Sequence, residues 1–334
     1  MFQTASHGAS RLIRRTYPDV FHSRWMAAAY DAWSRVEDLT GEELFVKCGG
    51  LTFGPENDAT LRATRDALVD CGIAHDLLSR EAVAERFPAL DIGKGVVGIY
   101  QADSGFLRAD RCLRSQVDAA QKLGAVVHEG RKVIEITETG GGVSVITDHG
   151  IERFDAVVVT AGPWMGKLLP GLQLPLQVML RQTTYSGVES EERFAPGQFP
   201  VWIHHPTDHY GFPSDGVLPG IKVACHHGGP EFDPAAPDRP VMDELADSVR
   251  AHARNHIAGL SGEIISAKAC LYTVTPDERF ILDFVPGSQR QIVCSGCSGH
   301  GFKFSALLGE LAVAMARDGR AHPEAGAWRF ARFG

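Results

Sequence analysis

Two arginines stand three residues apart in the opening stretch Ser6-His-Gly-Ala-Ser-Arg-Leu-Ile-Arg14. A guanidinium donates two parallel hydrogen bonds in a fixed fork, so Arg11 and Arg14 could clamp a planar carboxylate, while solvated surface positions would suit the same residues. Lys222 falls between Ile221 and Val223 in a strand pattern, where alternation alone would turn it to solvent. Only a partner group within reach would give that ammonium a function.

The densest chemistry lies in Gln291-Ile-Val-Cys-Ser-Gly-Cys-Ser-Gly-His-Gly-Phe-Lys303, followed by Leu307, Leu308, Leu311 and Met315 at helical spacing. It reads as strand, glycine loop and helix. Gly299-His-Gly301 begins like a dinucleotide fingerprint, but Phe304 stands where the third small residue belongs, so the full motif fails. A helix start facing a narrow loop still suits negative charge, and a ligand-free glycine corner remains the plain alternative. Cys294-x-x-Cys297 with His300 lacks the second cysteine pair that a structural zinc site needs, and Ser298 to Gly301 separate the thiols from the helix start that a redox pair needs. Gly296-x-Ser298 would need glycine at position 300 to form a hydrolase elbow.

The elements that must position these residues alternate between helix and strand. Trp25, Met26, Tyr30, Trp33 and Val36 form a half-buried helical stripe over Ser23–Leu39, closed by Gly41. Strand-like Leu44–Val46 and Leu51–Phe53 precede helical stretches at Ala59–Cys71 and Glu81–Phe87. Asp110–Leu123 reads as a helix capped by Asp110, with a strand over Ala125–His128. A meander then runs through Val133–Thr137 and Val143–Thr147 to Ala156–Val159, whose apolar run predicts a central strand with Gly162 just beyond its carboxyl end. Aromatic and proline-rich short strands over Gln173–Lys222 suggest a second, antiparallel domain, and Val241–Ile257 a helix. Helix and strand alternating along the chain predict an α/β layer.

Composition narrows the class. The 33 Lys and Arg against 41 Asp and Glu leave a formal charge of −8, which disfavours a nucleic-acid or anionic-membrane surface. No apolar run reaches the roughly 18 residues of a membrane span. Seven scattered cysteines, an odd number, argue for free thiols in a reducing compartment, so a cytoplasmic protein is expected and a secreted disulfide scaffold is excluded. Met1–Tyr17 is basic enough for a transit peptide but lacks an amphipathic helix, and it reads as part of the mature protein.

Six segments occur in order and at fitting spacing: Ser6 to Arg14, Ala161-Gly-Pro-Trp164, Tyr210-Gly-Phe-Pro213, Ile221-Lys-Val-Ala-Cys-His226, Cys270-Leu-Tyr-Thr to Asp283, and Ser298-Gly-His-Gly-Phe-Lys-Phe304. Together they resemble the sarcosine oxidase group of FAD-dependent amine oxidases, which includes N-methyltryptophan oxidase and pipecolate oxidase, almost from end to end. The resemblance implies a mixed α/β (α+β) fold. An FAD-binding Rossmann-like domain would be assembled from residues 1–45, 112–172 and 278–334, and an antiparallel-sheet substrate domain from 46–111 and 173–277. One departure concerns the strand, G-x-G-x-x-G turn and helix, about 40 residues, with which relatives begin. Met1 falls just before the arginine loop, so the Rossmann-like domain is expected to lack its first strand and helix, and the 334 residues alone to load flavin poorly.

By the same resemblance Cys270 matches the cysteine bonded covalently to the flavin, and Arg14 and Lys303 match the pair that binds the substrate carboxylate. Arg11 and Lys222 match basic residues on the opposite flavin face, Lys222 being the oxygen-activating lysine, while His7, Tyr210 and His226 match pocket residues. Gly162, Trp164, Gly299, His300, Gly301, Phe302 and Lys303 are the further expected cofactor contacts, and no metal is expected. The implied reaction is oxidation of a secondary amino acid such as sarcosine or pipecolate, with oxygen reduced to peroxide and an imine released, by a monomeric chain. A dehydrogenase with another acceptor, which Lys222 argues against, and a degenerate flavoprotein without activity are the alternatives.

Overall fold

The computed structural model describes residues 6–334; of the Met1–Tyr17 segment and the 1–45 piece, residues 1–5 lie outside the described residues. In chain order come β1 (Ser10–Ile13), α1 (Val20–Thr40), β2 (Phe45–Lys47), β3 (Gly50–Pro55), α2 (Ala59–Asp70), β4 (Asp76–Leu78), α3 (Arg80–Arg86), β5 (Val96–Gln101) and β6 (Gly105–Arg108). Then follow α4 (Ala109–Lys122), β7 (Val133–Thr139), β8 (Gly142–Thr147), β9 (Gly150–Phe154), β10 (Val157–Val159), α5 (Met165–Leu168), β11 (Gln177–Val188), β12 (Val201–His204) and β13 (His209–Gly211). The chain closes with β14 (Ile221–Cys225), α6 (Asp243–His256), β15 (Leu260–Val274), β16 (Ile281–Phe284), β17 (Gln291–Ser295) and α7 (Ser305–Asp318).

The main sheet has the order β15-β11-β14-β13-β12-β3-β5-β4 and is antiparallel except where β12 runs parallel to β3. Three smaller sheets have the orders β1-β6-β2, β7-β8-β9 and β10-β17-β16. A core joins α1 to α7: Met26, Ala29, Ala32 and Trp33 meet Leu307, Leu308, Leu311 and Met315 over Leu282 and Ile292. Burying each of the larger of these side chains is worth about 1.5–3 kcal/mol, which holds the two helices at fixed positions beneath the glycine loop. Trp33 also donates its Nε1–H to the carbonyl of Lys303 at 2.9 Å, so the core itself fixes the start of that loop's lysine.

Local chemistry accounts for the helix ends. Asp19 caps α1 by accepting from the backbone of His22, and Gly41, at φ 69°, closes it in the left-handed conformation that glycine adopts without strain. Asp58 and Ser79 cap α2 and α3 in the same way.

Four expectations need correction. Asp110 is not the cap of α4; Arg108 occupies that position, and the Asp110 carboxylate instead accepts from the backbone of Gly8 at 2.9 Å, tying down the arginine loop. Ala125–His128 forms no strand, because it has no neighbour to pair with and Val126 is exposed. The Ala156–Val159 run is an edge strand, since among the described residues β10 pairs only with β17, which takes the central place. The helix after the glycine loop starts at Ser305 rather than near Gly301, because a 3-10 turn over Phe302–Phe304 intervenes.

Candidate functional site

The arginine loop, β14, β15 and the glycine loop bring two pairs of cations together. Lys222 is not on a solvent face: β14 is buried along nearly its whole length, and the ammonium donates to the carbonyl oxygen of Ser10 at 2.5 Å. Arg11 donates to the same oxygen at 2.9 Å and to the carbonyl of His7. One backbone carbonyl thus holds both groups, and the Lys222 ammonium also lies 4.0 Å from the Phe212 ring centroid. Burial drives the Lys222 pKa well below the usual lysine value, and the Arg11 charge pushes in the same direction.

Arg14 and Lys303 form the second pair. The Arg14 guanidinium stands 4.5 Å and the Lys303 ammonium 5.5 Å from the centroid of the Tyr17 ring. Lys303 donates to the Tyr17 hydroxyl at 3.2 Å and to the carbonyl of His300 at 3.0 Å, while Arg14 reaches Thr16 Oγ1 at 3.2 Å and leaves its Nε buried without a partner among the described residues. Among the described residues neither cation has a carboxylate within ion-pair distance. Desolvation, followed by repulsion from Arg14, lowers the Lys303 pKa well below its ordinary value. The arrangement keeps two basic groups ready for an anion supplied from outside, whose charge favours the protonated Lys303 amine.

His300 orients this pair. Its Nε2 lies 2.8 Å from the Glu278 carbonyl, which can only accept, so the proton sits there and Nδ1 accepts from the Tyr17 hydroxyl at 3.1 Å. The Tyr17 oxygen is then free to accept from Lys303. Both ring nitrogens of His300 are engaged within the protein, which makes it a positioning residue for Tyr17.

Cys270 lies on β15 opposite Arg181 of β11. Its free thiol is partly buried; desolvation raises its pKa, while the charges of Arg11 and Lys222 pull it back down. Two residues further along the same strand face, Tyr272 brings its hydroxyl to 3.4 Å from that of Tyr210. The His226 ring stands 5.3 Å from Tyr272, and burial depresses its pKa to about 3, so it is neutral. Gly299, at φ 79°, passes so close that a Cβ there would overlap the Tyr272 ring, and a Cβ on Gly301 would crowd Cys297. Phe302 stacks on Trp33 with ring centroids 6.0 Å apart, beneath the Arg11 guanidinium.

The structure therefore brings Arg11 to Lys222 and Arg14 to Lys303, with Tyr210, His226 and Cys270 around them. His7 contributes its carbonyl to Arg11. Gly162, at φ 51°, opens the turn through Trp164 that packs on β15, and Pro163 of that turn lines a cavity of about 370 Å³ bordered by Lys167, Leu174, Phe232 and Asp233, away from the cation pairs. Sequence reasoning missed Tyr17, Arg181 and Tyr272. Tyr272 was within reach, since i and i+2 share a strand face; Tyr17 carries no local signal. It also missed Asp215, a buried carboxylate that accepts from Ser10 Oγ at 2.8 Å and Tyr185 at 2.6 Å and anchors the strand beneath Lys222.

These residues fit a flavin. Paired cations suit an electron-rich ring and a carboxylate, the Cys270 thiol lies within the field of the first pair, and the orphaned Arg14 Nε retains an unused donor. Comparison with known proteins gives the same direction. The model of the FAD dependent oxidoreductase family (DAO) matches residues 2–315. Peroxisomal sarcosine oxidase of Mus musculus is 34% identical over 316 residues, covering 92% of this chain and 80% of its own. N-methyl-L-tryptophan oxidase of Yersinia pestis is 30% identical over 331 residues, with 98% and 88% covered. The fold is that of NikD, an amino acid oxidase essential for nikkomycin biosynthesis, with TM-score 0.85, 21% identity and 98% and 87% of the two chains covered.

Proposed function

The chain belongs to the family of FAD-dependent oxidoreductases, and from that premise we propose that it oxidises a secondary amino acid, N-methyl or cyclic, held by its carboxylate between Arg14 and Lys303. The substrate loses a hydride from the carbon beside nitrogen and a proton from nitrogen, giving an imine; oxygen takes up both electrons and two protons, giving hydrogen peroxide. FAD, when bound, supplies the two-electron acceptor that connects the two halves. Cys270 is the residue that would hold it covalently, with Arg11 and Lys222 beside its ring and the Gly162–Trp164 and Gly299–Lys303 loops as further contacts. In this reading the cofactor domain comprises residues 1–45, 112–172 and 278–334.

The observation that carries the reading is the juxtaposition of Arg14 and Lys303 on the Tyr17 ring with no carboxylate among the described residues within ion-pair distance. Two charge-assisted donors orient a carboxylate and so fix the C–H bond beside nitrogen. Tyr210, Tyr272 and neutral His226 close the pocket without adding charge, and Lys222 places an ammonium where oxygen acquires negative charge. The named activities of the mouse and Yersinia relatives support the same substrate class.

The experiment for the cofactor is mass spectrometry of denatured, flavin-loaded protein. The peptide containing Cys270 is expected to carry the mass of FAD, and an unmodified peptide from yellow, active enzyme would remove Cys270 from the cofactor site. A second expectation concerns the glycine loop. Gly299→Ala must displace either the loop or the Tyr272 ring, and a displacement of this size near reacting atoms lowers kcat/KM by up to about a hundredfold. Steady-state kinetics with a melting curve as control decide it; unchanged kinetics would mean that Tyr272 does not shape the pocket.

A further inference from the structure

Three histidines outside the cation pairs converge without any part in the reaction above. His204 ends β12, opposite Phe53 of β3, and His252 and His256 lie one turn apart on α6, which packs over that face of the sheet. One ligand nitrogen from each of the three lies within 4.8 Å of the other two. Ring centroids are 5.0 Å apart for His204 and His252, 5.1 Å for His204 and His256, and 4.6 Å for His252 and His256.

The hydrogen bonds around the cluster leave ring nitrogens available as ligands. His256 Nδ1 lies 2.8 Å from the carbonyl of Asp91, so that nitrogen carries the proton and Nε2 keeps its lone pair. A ring nitrogen tied to a carbonyl in this way is the usual outer support of a metal-binding imidazole. His204 Nδ1 is likewise engaged, by Thr207 Oγ1 at 2.8 Å. Among the described residues His252 Nε2 is buried with no hydrogen-bond partner, a state that is unfavourable unless something satisfies it. His209 stacks face to face on His252 at 4.0 Å and 7°, and Trp202 supports the His252 ring at 5.9 Å.

We propose that His204, His252 and His256 bind one divalent transition-metal ion of the zinc type, with water in the fourth position, and that the ion fastens α6 to the main sheet. Zinc–nitrogen bonds of 2.0–2.1 Å at tetrahedral angles need ligand atoms roughly 3.3 Å apart, a closure that small side-chain rotations supply. Partial exposure of all three rings gives the ion and its water a route in.

Cobalt(II) makes the site visible. Flavin-loaded protein treated with EDTA and titrated with CoCl₂ is expected to bind one equivalent with the intense absorption of four-coordinate cobalt, seen as a difference spectrum over the flavin, and ZnCl₂ should abolish it. Zinc should also raise the melting temperature of the parent. His252→Gln and His256→Gln should each weaken cobalt binding at least a hundredfold, whereas His227→Gln, in the separate His226, His227 and Glu278 group, should leave it intact. Should the first two variants fail to fold, diethyl pyrocarbonate modification of the parent decides: zinc must protect the peptides carrying His204, His252 and His256. Absence of a cobalt spectrum, its survival in His252→Gln, its loss in His227→Gln, or modification unchanged by zinc would overturn the proposal.

Discussion

Arg14→Ala is expected to lower kcat/KM for a secondary amino acid by about a hundredfold, and its combination with Lys303→Met by about a thousandfold or more. Each charge-assisted hydrogen bond to a carboxylate contributes about 1.5–3 kcal/mol, and each factor of ten in rate is 1.36 kcal/mol. The pair shares one ligand, so the two effects will not simply add. Affinity for simple carboxylate inhibitors should fall in parallel, because binding is the interaction removed. Inhibitor binding that is unchanged in Arg14→Ala would mean the guanidinium serves something else. The pH dependence has a definite sign. Burial and the Arg14 charge hold the Lys303 pKa well below its ordinary value, and a bound carboxylate raises it again, so binding takes up a proton in the interval between the two. Carboxylate affinity should therefore decline as pH rises through that interval.

The second large effect is expected at Lys222. Lys222→Met keeps an unbranched stem against Phe212 and deletes the charge, while the Ser10 carbonyl retains its hydrogen bond from Arg11. The strand should therefore fold as before. Losing one preorganised charge at a position where negative charge develops costs on the order of a hundredfold to a thousandfold, and the cost should fall on the reaction with oxygen. Stopped-flow measurement of the two half-reactions separates the cases: reduction by substrate should change little and reoxidation by oxygen should slow by about a hundredfold. Reoxidation at the parent rate would leave Lys222 a structural cation on the Ser10 carbonyl.

The residues most legible in the sequence were those whose type names their chemistry. Arg11, Arg14, Lys222 and Lys303 were each visible, but their pairing came only with the family resemblance; the residues and their spacing could not give it, because it depends on β1 being placed between β6 and the glycine loop by contacts more than ninety residues apart in sequence. The helix over Val20–Thr40 was readable from its apolar stripe, with Gly41 supplying the stop. Alternation misled at Lys222 because it presumes one wet face, and β14 lies inside the main sheet with both faces covered. The same limit explains β10: an apolar run reports burial, not how many neighbours a strand has. Tyr17 and Asp215 were invisible because each acts through a partner distant in sequence, Lys303 and Ser10 respectively. His252 and His256 stood at a helical spacing of four, yet only the fold brings His204 to them.

The central claim is that a carboxylate held by Arg14 and Lys303 presents a secondary amine for oxidation, and it is tested most directly by paired substrates. Flavin-loaded protein should be assayed for peroxide with a panel of N-methyl and cyclic amino acids and with the matching amines that lack the carboxylate. At least one amino acid of the panel should be oxidised with stoichiometric peroxide, and its decarboxylated counterpart should react about a hundredfold less well in kcat/KM. Equal rates for an amino acid and its bare amine, or no peroxide from any member of the panel, would contradict the account.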